Sequence, residues 1–314
     1  MNVLLLGASG QVGHALRQPL TELGVLTCAT RSGSLEDGEA CFAVDLEDGG
    51  SLRRALDSVR PQLIVNAAAY TAVDRAEQEA DRADRINHRA VGEIGAWAAR
   101  NEALVVHYST DYVFAGTDPQ PRREYDPTAP LGAYGRSKLA GEIALRDSGA
   151  RHLILRTAWV YAARGHNFLR TMLRLAGERD ELRVVDDQIG APTPAHWIAQ
   201  ATAAILSRLN AMPATGRDLA LGTYHVTATG HCSWCAFAAA ILAAARTAGL
   251  LEKSPRLVPI ASVEYPTPAR RPAFSVLDNA RLALVFGLQL RSWEEGLREV
   301  IGELAATEAP GENQ

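Results

Sequence analysis

The chain has 314 residues, is 47% hydrophobic and carries a formal net charge of −4 at pH 7. This length can bury a large core in one α/β domain with a smaller lobe, and the mildly acidic balance argues against a nucleic-acid partner, which normally requires a basic field. The first apolar run, Val3–Leu6, is too short for a signal peptide or a membrane span, and no later run is long enough. We therefore expect a cytoplasmic protein with no membrane partner.

Short apolar strands alternate with longer helical stretches through the first half of the chain. The predicted strands are Val3–Leu6, Val25–Thr30, Cys41–Val44, Leu63–Val65, Leu104–Tyr108 and His152–Arg156, and the predicted helices are Gln11–Leu23, Ser51–Val59, Ala80–Arg100 and Gly135–Asp147. Apolar strands separated by helices favour a parallel sheet that is buried on both faces. Right-handed crossovers then predict the α/β class, with a doubly wound, Rossmann-type sheet.

After Trp159 the alternation becomes irregular. Helices are predicted at Asn167–Arg179, His196–Leu209, Ser233–Ala248 and Ser292–Ala306, an extended run at Leu182–Val185, a linker or loop at 210–222, and a proline-punctuated stretch at 254–272. We predict a dinucleotide-binding domain at 1–160, with contributions from 182–209 and 222–228. A smaller C-terminal α/β substrate lobe is predicted at 161–181 and 229–306, and a flexible polar tail at 307–314.

The cysteines and histidines give no metal site. Four cysteines in a long chain do not make a disulfide framework. Cys232 and Cys235 have the CxxC spacing of half a zinc site or a redox pair, but a single pair is weak evidence, and cysteine at the start of an alanine-rich helix is favoured as a small apolar residue. The eight histidines have no metal-ligand spacing. We predict no metal ligands.

A glycine-rich turn follows the first strand and begins the first helix. Gly7, Gly10 and Gly13 have the spacing of a dinucleotide-binding turn. Gly7 is expected to make the tight turn, Gly10 to let the backbone approach a pyrophosphate, and Gly13 to let the helix pack closely on the strand. Free amides and a partial positive charge at the helix N-terminus favour phosphate binding there, which predicts a nicotinamide dinucleotide as cofactor.

Three further strand ends offer cofactor contacts. The second strand ends at Arg31 rather than at an acid, so a 2′-phosphate and hence NADPH are favoured, although a solvated surface arginine is the alternative. Asp45 and Leu46 suit the edge and face of an adenine. The small residues Ala67–Ala69 let the backbone lie against a ribose, or merely permit close packing.

The fifth strand and the helix after it predict the catalytic groups. Ser109–Asp111 lie at the carboxyl edge of the sheet, where ligands bind in open α/β folds. Tyr134 and Lys138 are four residues apart and so share one helix face. We expect the Lys138 ammonium to favour phenolate, and the positive nicotinamide ring of the oxidised cofactor to add to this; the two cations together can bring the pKa of Tyr134 from near 10 to about 7. The hydroxyl of Thr110 is expected to hydrogen-bond the substrate oxygen beside the phenol.

Together these residues resemble the short-chain dehydrogenase/reductase superfamily, in its extended, sugar-nucleotide branch. Within that branch the chain is similar to the dTDP-4-dehydrorhamnose reductase family from about residue 2 to residue 305. The motifs that carry this resemblance, in addition to Gly10–Gly13, are Asn66–Asp74, Ser109–Phe114, Arg156–Tyr161, Asp187–Thr193 and Arg271–Pro272.

The resemblance implies reduction of the C4 ketone of dTDP-4-dehydro-L-rhamnose to dTDP-L-rhamnose by NADPH or NADH. It implies that Tyr134 donates the proton and that Lys138 holds the nicotinamide ribose. Substrate contacts implied in the same way are Thr110, Asp111 and Trp159, and the implied cofactor contacts are Gln11, Val12, Asp45, Leu46, Ala67, Ala68 and Ala69. Some members form homodimers and use magnesium, so both are possible here.

Several alternatives remain. Trp159 is also interpretable as a core aromatic, and Arg270–Pro272 either neutralises a diphosphate through Arg271 or is an exposed charge run. A sugar-nucleotide epimerase or dehydratase would share the Tyr/Lys pair, but dehydratases usually carry glutamate where Tyr112 stands. A regulatory subunit similar to the β subunit of methionine adenosyltransferase would bind the cofactor without turnover.

Overall fold

The computed structural model describes residues 1–36 and 38–308. In chain order the strands are β1 (Asn2–Leu6), β2 (Val25–Thr30), β3 (Phe42–Ala43), β4 (Leu63–Asn66), β5 (Leu104–Thr110), β6 (His152–Thr157), β7 (Val160–Tyr161), β8 (Glu181–Val185), β9 (Ile189–Gly190), β10 (Thr193–Pro194), β11 (Gly222–His225), β12 (Cys232–Ser233) and β13 (Arg256–Ile260).

The α-helices follow the same order. They are α1 (Gln11–Thr21), α2 (Gly49–Val59), α3 (Ala80–Asp84), α4 (Ala90–Arg100), α5 (Ala133–Asp147), α6 (Phe168–Glu178), α7 (Ala195–Ala211), α8 (Ala214–Leu219), α9 (Trp234–Thr247), α10 (Ala280–Phe286) and α11 (Trp293–Glu308). None of the described helices is both long and apolar enough to cross a membrane.

A seven-stranded sheet in the described chain has the order β11-β6-β5-β4-β1-β2-β3, and its neighbouring strands are all parallel. The apolar side chains of β1 point alternately to two hydrophobic clusters, Val3 and Leu5 to one and Leu4 and Leu6 to the other. One cluster includes residues of α1, α7 and α9, and the other includes residues of α2 and α4. The prediction of a doubly wound parallel sheet is therefore confirmed.

The predicted helix over 80–100 is helical throughout but changes geometry. Residues Arg85–Arg89 form a π-helical turn between α3 and α4. The turn carries the buried Asn87, whose side chain accepts from Tyr70 N and donates to Tyr70 O and Ser137 Oγ. Because Ser137 lies in α5, this insertion fixes α5 against the helix that crosses it.

A smaller set of elements lies after β6. Strands β8 and β13 pair in parallel, and α6 and α9 pack beside them. Two short ladders, β7 with β10 and β9 with β12, lie between this lobe and the large sheet. Strand β11 returns to the edge of the large sheet beside β6.

The interpretation of 210–222 as a linker or loop is wrong. Helix α7 continues to Ala211, α8 occupies Ala214–Leu219, and β11 begins at Gly222. The proline at position 213 stands directly before α8, where its fixed φ suits the start of a helix. Of the predicted tail 307–314, residues 307 and 308 end α11 and the rest lie outside the described residues.

Candidate active site

The glycine-rich turn between β1 and α1 is shaped by close backbone approaches. Gly7 has φ +79°, and a Cβ there would lie 2.6 Å from Ala68 N. A Cβ on Gly13 would lie 2.0 Å from Gly7 O, so α1 can approach the turn this closely only because residue 13 lacks a side chain. Gly10 is the N-cap of α1, and no side chain caps the helix. This leaves the first amides of α1 directed at the cleft.

A cleft of about 620 Å³ opens above this turn. Its lining residues that were predicted as cofactor contacts are Gly7, Gly10, Gln11, Val12, Arg31, Asp45, Leu46, Ala67, Ala68, Ala69, Tyr134 and Lys138. Gly13 lies beneath the turn and is not part of the lining. The exposed Arg31 ends the second strand at the mouth of the cleft. The arrangement joins the glycine turn to the Tyr/Lys pair in one continuous groove.

Lys138 is buried at the inner wall of the cleft. Only 2% of it is exposed, and its Nζ donates to Tyr108 O at 2.6 Å and lies 3.2 Å from His107 Nε2. Burial lowers the pKa of Lys138 to about 8, and the charge of Glu142 opposes that shift. Lys138 is carried by helix α5. Glu77 accepts a hydrogen bond from Ala133 N and so fixes the first turn of this helix.

The surroundings of Tyr134 in this structure raise its pKa, whereas the expected acidification, which includes a positive nicotinamide ring beside the phenol, stays a prediction. Burial raises the pKa of Tyr134 to about 12, and the nearby charge of Asp111 adds to the rise while a hydrogen bond with Thr110 opposes it. The Lys138 amine is engaged with strand β5, as described above, so desolvation of the phenol dominates. The phenol therefore stays protonated at neutral pH, which is the form that a proton donor needs.

Thr110 and Asp111 lie at the carboxyl end of β5, beside the phenol. Thr110 Oγ1 donates to Asp111 Oδ1 at 2.9 Å. Burial raises the pKa of Asp111 to about 6, and hydrogen bonds from Ser275 and Thr110 oppose the rise. The next residue, Tyr112, packs edge-on against Tyr134 with ring centroids 5.6 Å apart. Tyr112 was quoted in a motif but given no role, and its place in the site became visible only in the fold.

Trp159 lies in an aromatic stack at the border of the smaller lobe. Its ring is parallel to that of Trp234, with centroids 3.4 Å apart. It also lies flat against Gly190, where a Cβ would sit 2.3 Å from Trp159 Cε2. Its backbone is in the left-handed region at φ 47°, which costs energy for a residue with a large side chain. The sequence offered no signal for Trp234 beyond its position inside the CxxC segment.

Arg271 lines a second cavity, of about 660 Å³, between α6, β8 and β13. Its Nη2 donates to Asp74 Oδ2 at 2.7 Å, and Asp74 also accepts from Ala269 N. The side chain is mostly buried, whereas Arg270 is exposed. The structure thus separates the two arginines of the charge run: Arg271 faces the cavity and is held there by Asp74, whereas Arg270 is exposed.

The cysteines and the acidic residues give no metal centre. The residues of the described ranges contain no group of three or more His, Cys, Asp or Glu that could hold a metal ion. No magnesium site is assigned among the described residues. Cys232 is buried in β12, and burial raises the pKa of the thiols of Cys232 and Cys235, which disfavours the thiolate form of both.

Comparison with known proteins gives concordant matches. The family model described as the RmlD substrate binding domain matches residues 1–306. The dTDP-4-dehydrorhamnose reductase of Burkholderia thailandensis is 47% identical over 93% of this chain and 95% of its own length, and that of Escherichia coli (strain K12) is 44% identical over 98% and 100%.

Solved structures agree with these matches. A Bacillus anthracis dTDP-4-dehydrorhamnose reductase in complex with NADP is 34% identical, with a TM-score of 0.83 over 96% of this chain and 98% of that one. The UDP-glucose 4-epimerase of Thermus thermophilus in complex with NAD is 19% identical with a TM-score of 0.78 over 98% and 100%, and shows the shared fold alone.

The sheet, the glycine turn and the Tyr134/Lys138 pair in the cleft define a Rossmann-type oxidoreductase of the extended short-chain dehydrogenase/reductase class. Within that class, the chain belongs to the RmlD substrate binding domain family, together with the dTDP-4-dehydrorhamnose reductases that it matches over nearly its full length.

Proposed function

We propose that the protein reduces the C4 ketone of dTDP-4-dehydro-L-rhamnose to dTDP-L-rhamnose, with NADPH as reductant and Tyr134 as proton donor. The observation that carries the mechanism is the position of the partly buried Tyr134, whose phenol lies beside Thr110 at the inner end of the cleft that also holds the glycine turn. The names of the relatives supply the substrate, since they are dTDP-4-dehydrorhamnose reductases of 37–47% identity.

The residues of the cleft fit a nicotinamide dinucleotide. The close approach of Gly7 to Ala68 and the uncapped N-terminus of α1 leave backbone amides for a pyrophosphate. Arg31 at the mouth of the cleft is suited to a 2′-phosphate, which favours NADPH over NADH. When bound, the reduced nicotinamide supplies a hydride to the ketone carbon.

Tyr134 supplies the proton. Because burial raises the pKa of Tyr134 to about 12, the phenol holds its proton until the ketone oxygen gains negative charge and becomes the stronger base. Thr110 lies beside the phenol, and its hydroxyl can donate a second hydrogen bond to that oxygen by turning away from Asp111, to which it donates in this structure. As the phenol becomes phenolate, a positive charge on Lys138, one helical turn away, stabilises it.

The smaller lobe supplies the substrate contacts. The cavity between α6, β8 and β13 can take the nucleotide end, because Arg271 offers a guanidinium for a diphosphate while Asp74 fixes its orientation. Trp234 lines this cavity and stacks on Trp159, and the two rings form an apolar wall. Such a wall suits the apolar face and methyl group of a 6-deoxy sugar.

The test is NADPH oxidation with freshly generated dTDP-4-dehydro-L-rhamnose, followed by assignment of the product's C4 configuration. We expect stoichiometric formation of dTDP-L-rhamnose. A product with the opposite configuration at C4 would contradict the substrate geometry. Tight NADPH binding without turnover, together with a changed affinity of a partner enzyme, would instead establish a regulatory subunit.

A further inference from the structure

A buried polar chain runs from the cofactor side of β4 to Lys138. Asn66 and His107 are direct neighbours in the register of β4 and β5, and both are at most 1% exposed. Asn66 Nδ2 lies 3.2 Å from His107 Nδ1, His107 Nε2 lies 3.2 Å from Lys138 Nζ, and Lys138 Nζ donates to Tyr108 O. The mechanism proposed above uses the lysine but not the two residues behind it.

The donors and acceptors of this chain fix its protons. Asn66 Oδ1 accepts from Ala68 N at 3.2 Å, so its amide nitrogen is the atom that faces His107. Nδ1 of the imidazole must then be the acceptor, and the single ring proton of a neutral histidine sits on Nε2. Burial and the neighbouring lysine hold the pKa of His107 well below its usual range, so the ring is neutral.

This tautomer directs an N–H at the lysine. A neutral amine satisfies every contact, because its lone pair accepts from His107 Nε2 while one N–H donates to Tyr108 O. An ammonium has no lone pair and would face the imidazole N–H with a donor. Placing the ring proton on Nδ1 only moves the conflict to Asn66, whose amide also donates. The chain therefore favours the amine over the ammonium.

The other ionisable groups around Lys138 are already engaged. Glu142, one turn further along α5, accepts from Arg156 and Arg146, and Asp111 in the turn after β5 accepts from Thr110. On α5 itself, Tyr134 is neutral at physiological pH. The helix that crosses α5, and the turn before it, also carry charged residues, and each of these has a partner. Glu77 caps α5. The others pair among themselves or with Glu47: Arg75, Glu79, Arg82, Asp84, Arg85, His88, Arg89 and Glu93.

We infer that His107, oriented by Asn66, is a positioning residue that holds Lys138 toward the neutral amine, so that binding of NADPH is coupled to proton uptake by Lys138. The inference rests on the proposed contact between Lys138 and the nicotinamide ribose. Ribose hydroxyls bring oxygen acceptors that the imidazole N–H does not offer, and acceptors favour the ammonium. Asn66 and His107 also connect the cofactor side of the cleft to Lys138, because Asn66 accepts a hydrogen bond from the Ala68 amide, which lines the cleft.

Calorimetric titration of the full-length enzyme with NADPH, in buffers of different ionisation enthalpy, measures the protons taken up. Because burial lowers the pKa of Lys138 to about 8, we expect uptake of nearly one proton at pH 9 and about a tenth of a proton at pH 7. The Kd for NADPH should rise about tenfold per pH unit above pH 8. Adenosine 2′,5′-bisphosphate, which lacks the nicotinamide ribose, should bind without this uptake, and Lys138→Met should abolish it.

Asn66→Asp tests the roles of Asn66 and His107. A carboxylate keeps the acceptor for Ala68 N but also accepts from His107 Nδ1, which moves the ring proton and leaves Nε2 free to accept from the ammonium. Uptake at pH 9 should then fall to near zero, and the Kd for NADPH should become flat from pH 7 to 9. His107→Gln, whose carbonyl oxygen can face Lys138, should act in the same direction.

The outcomes separate this inference from the proposed function. The inference would be overturned if the native enzyme took up no proton at pH 9, or if the uptake were unchanged in Asn66→Asp and His107→Gln. NADPH binding and turnover would stand in either case. If Lys138→Met leaves NADPH affinity unchanged, the proposed cofactor contact itself fails. Variants that only destabilise the fold would lower the unfolding midpoint without moving the pH profile of Kd, which would also count against the inference.

Discussion

Replacing Asp111 by Asn should make the protein more stable at neutral pH and a poorer enzyme. Asp111 is 2% exposed, and burial raises the pKa of its carboxyl from 3.8 to about 6. Between these values the folded protein holds a proton that the unfolded chain has lost, so the stability falls as pH rises from about 4 to 6 and stays low above it. The gap corresponds to about 3 kcal/mol, which the ionised carboxylate costs the fold at pH 7.

Urea unfolding of the native protein and of the Asp111→Asn variant from pH 4 to 7.5 measures this cost. The difference in the free energy of unfolding should grow in favour of the variant by about 2.4 kcal/mol between pH 4 and 7, whatever constant difference the changed packing adds. The affinity for NADPH should be retained and the KM for the sugar nucleotide should rise. A difference that does not change with pH would refute the claim that burial of this carboxyl dominates its titration.

Three further substitutions test separate parts of the structure. Arg31→Ala should reduce the preference for NADPH over NADH by about tenfold or more, because a charge-assisted contact to a 2′-phosphate is lost; an unaltered ratio of kcat/KM values would make Arg31 a surface residue. Glu142→Gln should destabilise the fold by about 3–5 kcal/mol, because the buried guanidinium of Arg156 would lose its counter-charge. The control Glu178→Gln removes an exposed ion pair and should cost under about 1 kcal/mol in the same denaturant titration. Gly190→Ala should raise the KM for the sugar nucleotide with NADPH affinity unchanged, because a methyl group would displace the Trp159 ring; equal KM values would remove the aromatic wall from the substrate site.

The dinucleotide end of the fold could be predicted because its determinants are local. Strands β1 and β2 begin or end within one residue of their predictions, and Gly7 to Gly13 carry the turn geometry in the spacing itself. The predicted cofactor contacts could be placed together because parallel strands end at one edge of the sheet. The predicted helix bounds in this half are mostly right for the same reason, since apolar periodicity and strand length are both properties of short windows.

The smaller lobe and the buried polar chain of Asn66, His107 and Lys138 were less predictable because their contacts are distant in sequence. Strand β8 finds its partner β13 more than seventy residues later. The contact between His107 and Lys138 spans 31 residues, so a buried histidine inside an apolar strand carried no sign of its partner. The surroundings of Tyr134 also depend on tertiary structure: helical spacing predicts an ammonium near the phenol, but the direction of that amine and the desolvation of the phenol come from the packing of α5 against β5.

The central claim is that the Tyr134 phenol delivers the proton to the sugar ketone. Single-turnover reduction of dTDP-4-dehydro-L-rhamnose by Tyr134→Phe with bound NADPH tests it directly, because this substitution removes one hydroxyl and keeps the ring. We expect NADPH affinity close to that of the native enzyme and a rate lower by about a thousandfold. A variant that reduces the ketone at a rate near that of the native enzyme would contradict the account.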